Sequence, residues 1–110
     1  MRNMIVSVAL LIGGLQAAQA DGLYSGGITS GNLSVWRINE TNGQVSLCSF
    51  ESKTTPASCA PWSGKSPDGT YGLIVGNDVL SVWRMNRKSG AVSLCEYKDV
   101  SKEPLCTPWN

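Results

Sequence analysis

Residues 33–48 of the chain read LSVWRINETNGQVSLC, and residues 80–95 read LSVWRMNRKSGAVSLC. The similarity extends further, because a shift of 47 positions aligns residues 21–63 with residues 68–110 without a gap and with 17 of 43 positions identical. Every cysteine and every aromatic residue after position 20 has a cysteine or aromatic counterpart. A period of this length is typical of proteins that stack one small unit on the next. We therefore expect two similar units, residues 21–67 and 68–110.

Residues 1–20 have the features of a secretory signal peptide: a cationic start with Arg2, an apolar run over residues 4–15, and Ala-Gln-Ala at residues 18–20. The apolar run is shorter than the roughly 20 residues that span a bilayer. We expect cleavage before Asp21 and no membrane attachment afterwards. The mature chain, residues 21–110, then forms a single domain that is secreted or periplasmic.

The composition argues against several classes of function. Without Arg2, eight of the nine basic residues remain beside eight acidic ones, and these charges are scattered. Such a chain lacks the basic surface that nucleic acid requires. It contains no histidine, the commonest general base, and no glycine-rich phosphate loop. We predict no catalytic residue, no enzyme activity and no cofactor.

Four cysteines lie in the predicted mature chain: Cys48, Cys59, Cys95 and Cys106. Exported chains use cysteines mainly for disulfides. Pairing within each repeat, Cys48 with Cys59 and Cys95 with Cys106, is favoured because a duplicated unit should carry its own bridge; bridges between repeats are the alternative. The wide spacing and the absence of histidine argue against a metal site.

Each repeat is predicted to be a three-stranded antiparallel meander, so the fold class is all-β. In the second repeat the strands cover residues 71–76, 80–86 and 91–97, and Gly90 in the loop 87–90 is expected to be left-handed. This register places Trp83 opposite Leu94 on one face and Val82 with Cys95 on the other. Both faces are largely apolar, so we expect each to be covered. The candidates are the other repeat, the tail of each repeat that carries Cys and Trp (residues 48–62 and 95–109), or another subunit.

The stretch SPDGTYGLIVGNDVLSVWRMNRKSGAVSLC, residues 66–95, resembles one blade of β-propeller repeats, which open with Ser-Pro-Asp-Gly and turn with Asp-x-x-Thr-Gly. Residues 86–90 stand in for that turn, and the first repeat keeps only Asp21-Gly22 of the opening motif. A propeller needs about four to eight blades. The resemblance thus implies a homo-oligomeric ring, as in small two-repeat lectins. A monomeric sandwich of the two sheets is the alternative.

Those lectins bind sugars through Arg, Glu and Trp side chains. Comparable groups here are Trp36, Arg37, Trp83 and Arg84, which form a Trp-Arg pair in each repeat, but no Glu occupies equivalent positions in both repeats. These four residues are the candidate site for a sugar or an aromatic ligand. The competing interpretation is that the tryptophans are core residues on which the arginines stack.

The sequence therefore predicts a non-catalytic, secreted or periplasmic protein that acts by binding or by structural assembly, with a protein or a carbohydrate as partner. A carbohydrate-binding oligomer is the first specific alternative. The second is a small inhibitor or effector that presents the loops 51–58 and 98–105, which differ almost completely between the repeats.

Overall fold

The computed structural model describes residues 22–29, 31 and 33–110. The predicted signal peptide, residues 1–20, lies outside the described residues. The described part of the chain contains strands, turns and bends but no helix. Accordingly, no helix in it is long and apolar enough to cross a membrane.

Among residues 22–29, 31 and 33–110, eight strands form two separate four-stranded antiparallel sheets, which confirms the predicted all-β class. The strands are β1 (Tyr24–Ile28), β2 (Ser34–Asn39), β3 (Val45–Ser49), β4 (Ser58–Cys59), β5 (Tyr71–Ile74), β6 (Ser81–Asn86), β7 (Val92–Glu96) and β8 (Leu105–Cys106). Sheet 1 has the order β1-β2-β3-β4, and sheet 2 has the order β5-β6-β7-β8.

The predicted register of the central hairpin is confirmed. Trp83 pairs with Leu94 and Val82 pairs with Cys95, and sheet 1 has the same pairs 47 positions earlier. Gly90, at φ 79°, provides the left-handed residue of the loop, as Gly43 does at φ 75° in sheet 1. At the start of the loop the Asn86 Oδ1 accepts hydrogen bonds from the backbone N–H groups of residues 88 and 89. Local turn chemistry thus sets the alignment of the two strands.

The fourth strand of each sheet goes beyond the three-stranded meander expected from the sequence. Disulfides join Cys48 to Cys59 and Cys95 to Cys106, as predicted, and each bridge links directly opposite residues of neighbouring strands. Just beyond each bridge, backbone hydrogen bonds of 2.9 Å, from Ala60 in sheet 1 and Thr107 in sheet 2, hold the chain against the third strand. Two-residue strands are too short to show an alternating pattern, so sequence periodicity does not reveal them.

Each sheet has two different faces. We call the side that carries Trp36 and Leu47 in sheet 1, or Trp83 and Leu94 in sheet 2, the Trp face. The opposite side is the Cys face, with Val35 and Cys48 in sheet 1. The Trp face of sheet 1 packs on the Cys face of sheet 2, and the two form one core. Its buried members are Trp36, Ile38, Val45, Leu47, Tyr71, Val82 and Cys95.

Polar contacts also connect the sheets to each other and sheet 2 to the segment that joins them. The Trp36 Nε1 donates to the Val79 carbonyl at 3.1 Å, and the Trp109 Nε1 donates to the Ser66 Oγ at 2.9 Å. The backbones approach closely where β1 and β2 meet β5, since a Cβ added to Gly27 would collide with the Val75 side chain. The glycine therefore permits the close approach of the two sheets.

Candidate functional site

The four residues of the predicted Trp-Arg site lie in different environments. Trp36 is completely buried in the core, whereas Trp83 has 44 % of its surface exposed. The arginines show the opposite pattern, because Arg84 is 5 % exposed and Arg37 is only half-buried. The reason is the packing of unlike faces, which buries the Trp of the first repeat and the Arg of the second. Trp36 therefore presents no surface to a ligand.

Each arginine stacks on the tryptophan that follows the disulfide in its own repeat. The Arg37 guanidinium lies 4.2 Å from the ring centre of Trp62, and the Arg84 guanidinium lies 4.5 Å from that of Trp109. A tyrosine completes each cluster, with Tyr71 5.3 Å from Trp109 between ring centres. The sequence feature that indicates these clusters is the pattern Cys-x-Pro-Trp at residues 59–62 and 106–109. It does not indicate which side chain the tryptophan ring contacts.

The environment of Arg84 is unusual for a charged group. Burial lowers the pKa of Arg84 from its ordinary value, and the interaction with Tyr71 partly opposes this effect. The Arg84 Nη1 donates to the Gly43 carbonyl of sheet 1 at 2.5 Å. The Nε is buried and has no hydrogen-bond partner among the described residues. Arg84 thus holds the sheets together and keeps one unused donor.

A cleft of about 420 Å³ lies between the linker that joins the sheets and the tail of sheet 2. Its lining includes Arg84, Trp109, Glu103 and Lys65. A cation, an aromatic ring and a carboxylate in one cleft can bind a ligand that carries both hydroxyl groups and an apolar face. Glu103 is the functional candidate that the sequence did not indicate, because its counterpart in the first repeat is Pro56.

Two apolar faces are left uncovered by the contact between the sheets. The Trp face of sheet 2 exposes Trp83 and Ile74, and the Cys face of sheet 1 exposes Ile28 (66 %) and Phe50 (52 %). The latter face carries a groove of about 230 Å³, lined in part by Ile28, Val35, Cys48 and Phe50. Contiguous apolar surface of this kind is typical of interaction sites.

The loops between the third and fourth strands are largely exposed. In residues 51–57 only Ser52 is half-buried, and residues 98–103 are all exposed. In the second loop the Asp99 carboxylate accepts hydrogen bonds from the backbone N–H and the hydroxyl of Ser101, and these bonds lower the pKa of Asp99. The loops are therefore accessible to a partner, but their side chains form no common pattern.

The two disulfides point to an oxidising extracellular or periplasmic environment. Within the described ranges all cysteines are paired, and no group of three or more His, Cys, Asp or Glu side chains could hold a metal ion. Comparisons of the chain with protein-family models, with curated proteins and with solved structures give no match.

Proposed function

We propose that this chain is an exported, non-catalytic protein that acts by binding other polypeptides through its two uncovered sheet faces. The observation that carries the proposal is the contrast between Trp36, which another sheet covers completely, and Trp83, which occupies the equivalent place on an uncovered face. A half-exposed tryptophan among other apolar side chains is characteristic of binding surfaces. The disulfides support export, and the absence of histidine from the chain supports a role without acid–base catalysis.

The proposal is tested by the native mass of the protein in the exported fraction of expressing cells. The wild type should elute above the mass of a monomer, and Trp83→Lys should reduce it to the monomer mass, because a charge on the Trp face of sheet 2 opposes burial. The control is Val100→Lys, which places the same charge on an exposed residue of a disulfide loop. A wild-type protein at the monomer mass contradicts the proposal.

Carbohydrate binding is the second candidate function, and the cleft lined by Arg84, Glu103 and Trp109 favours it. A sugar in the cleft could place an apolar face on Trp109, and its hydroxyl groups could donate hydrogen bonds to the Glu103 carboxylate. The cleft belongs to a single chain, so this function does not require the uncovered faces.

A glycan array with the oxidised mature protein tests the second candidate. We expect binding to one class of glycan and a loss of about tenfold or more for Glu103→Gln, since a hydrogen bond to a charged group contributes about 1.5–3 kcal/mol. Glu96→Gln is the matched control, because Glu96 is exposed and forms an ion pair with Lys98. Equal binding by Glu103→Gln, or no binding by the wild type, would exclude this cleft as a sugar site.

A further inference from the structure

We infer that the partner of the two uncovered faces is a second copy of this chain, packed head to tail. The Trp face of sheet 2 in one copy covers the Cys face of sheet 1 in the next copy. The inference rests on the proposed function, because it names the partner of the surfaces described there.

The template for this contact is the interface inside the chain, where the Trp face of sheet 1 packs on the Cys face of sheet 2. The repeat relates this interface to the two uncovered faces. Adding 47 to the residue numbers of sheet 1 gives the Trp face of sheet 2, and subtracting 47 from those of sheet 2 gives the Cys face of sheet 1. On one side Trp36, Val45 and Leu47 become Trp83, Val92 and Leu94. On the other side Val82 and Cys95 become Val35 and Cys48. Of the seven buried core residues, six keep their type under this shift, and Ile38 becomes Met85. The chain thus carries a second, unused copy of both halves of an interface it already makes.

The groove on the Cys face of sheet 1 fits the same relation. Its residues Ile28, Val35, Cys48 and Phe50 correspond to Val75, Val82, Cys95 and Tyr97, which line or bound the core that contains Trp36. We therefore expect the Trp83 indole of a second copy to enter this groove. The contact would remove several exposed large apolar side chains from water.

The polar contact of the internal interface also has an unused counterpart. Inside the chain Arg84 donates to the Gly43 carbonyl. The equivalent pair is Arg37, already held by the Trp62 ring, and Gly90, whose φ of 79° is close to the 75° of Gly43. The Nε of Arg37 is buried without a hydrogen-bond partner among the described residues, as the Nε of Arg84 is, so we expect an Arg37 Nη group to be the donor, as Nη1 is in Arg84. A neighbouring copy would bring the Gly90 carbonyl to this guanidinium.

The two interfaces differ at several positions, and one of these differences changes the spacing of the sheets. Inside the chain Gly27 lies against Val75, whereas the contact between copies brings Ile74 against Ile28. The added side chain requires β5 of one copy and β1 of the next to lie further apart than β1 and β5 do within a chain. The interface between copies is thus wider at this edge.

A contact between two different faces is heterologous, so each added copy leaves the same two faces open until a ring closes. Closed rings of four-stranded sheets contain about four to eight sheets. At two sheets per chain, two to four copies complete such a ring.

The test uses light scattering on the purified, oxidised mature protein and on two variants, Trp83→Lys and Ile28→Lys. Trp83→Lys disrupts the Trp face of sheet 2, and Ile28→Lys disrupts the Cys face of sheet 1, so each variant alone should be a monomer. In a mixture, the intact Cys face of the first variant can bind the intact Trp face of the second. The mixture should therefore form a heterodimer and nothing larger. Val100→Lys should assemble like the wild type. Circular dichroism verifies folding, and Ile74→Lys replaces Trp83→Lys if that variant does not fold.

Four outcomes would overturn the inference. Assembly that survives Ile28→Lys but not Trp83→Lys indicates a twofold contact between two Trp faces, and the opposite result indicates one between two Cys faces. A mixture of the two variants that stays monomeric also excludes head-to-tail packing. If the purified wild type is a monomer although the exported fraction contains a larger complex, the inference fails while the proposed function stands, because the faces then bind a different polypeptide.

Discussion

The indole of Trp36 lies between two sheets and donates a hydrogen bond across their interface, whereas the indole of Trp83 has only its own sheet beside it. The two residues have the same immediate neighbours in sequence and pair with equivalent leucines. Their different exposure therefore comes from what lies on top of each sheet. The same holds for Arg37 and Arg84, which stack on equivalent tryptophans but differ in burial.

Substitution of the two tryptophans should give clearly different losses of stability. Trp36→Ala should lower the free energy of unfolding by about 3–5 kcal/mol, because it removes a large side chain from a packed core. Trp83→Ala should cost at least about 2 kcal/mol less, since nearly half of that side chain already contacts water. Urea unfolding at concentrations where the protein is monomeric measures both values. Similar losses would indicate that Trp83 is covered within the monomer.

At the scale of the strands, two kinds of contact organise each sheet. The hairpin loop sets the register of the second and third strands, and the disulfide fixes a two-residue fourth strand to the third. The second contact also positions Trp62 and Trp109, which follow the bridges by three residues. Each disulfide thereby positions the tryptophan ring on which the arginine of the same repeat stacks.

Removal of the disulfides should test this link. Replacing either pair of cysteines by alanine should cost about 3 kcal/mol, because each bridge closes a loop between cysteines that are 11 positions apart. The loss should be larger for Cys95 and Cys106, because Cys95 is completely buried in the shared core and Trp109 contacts the linker between the sheets. Urea unfolding of the two double variants gives the comparison, and a larger loss for Cys48 and Cys59 would contradict this account.

The approach of β1 to β5 provides a second prediction at this scale. Gly27→Ala should destabilise the protein by about 1–3 kcal/mol, because its Cβ collides with Val75 and forces the sheets apart. Gly76→Ala is the control, since a Cβ there meets no atom within 4 Å. Combining Gly27→Ala with Val75→Ala should recover part of the loss in thermal melts. A lack of recovery would mean that another contact limits the spacing of the sheets.

At the scale of the whole molecule, the described part of the chain has a single buried apolar cluster, which both sheets share. Hydrogen bonds from Trp36, Arg84 and Trp109 cross between the sheets or to the linker. Neither sheet can lose its partner without exposing buried apolar surface and unpaired polar groups. The two sequence repeats therefore form one cooperative folding unit.

We accordingly expect a single unfolding transition. Far-ultraviolet circular dichroism, which reports on both sheets, and tryptophan fluorescence, which is sensitive to the burial of Trp36, should give the same midpoint in urea. The experiment requires oxidised protein at a concentration where it is monomeric, so that dissociation does not add a second step. Two separated transitions would show that the sheets unfold independently.

The sequence by itself determined three strands of each sheet and the hairpin register, and it favoured the disulfide partners, because these depend on alternating side chains, turn residues and a repeated cysteine spacing. It did not determine which face of each sheet would be covered, since both repeats carry the same Trp-Arg pair. That choice depends on contacts between residues more than 40 positions apart, such as Trp36 with Val79. In the tertiary structure Gly27, which has no side chain to separate the sheets, lies against Val75, and the Trp face of sheet 1 is the one that is covered. Ile74 at the equivalent position keeps its bulk on the face that stays open.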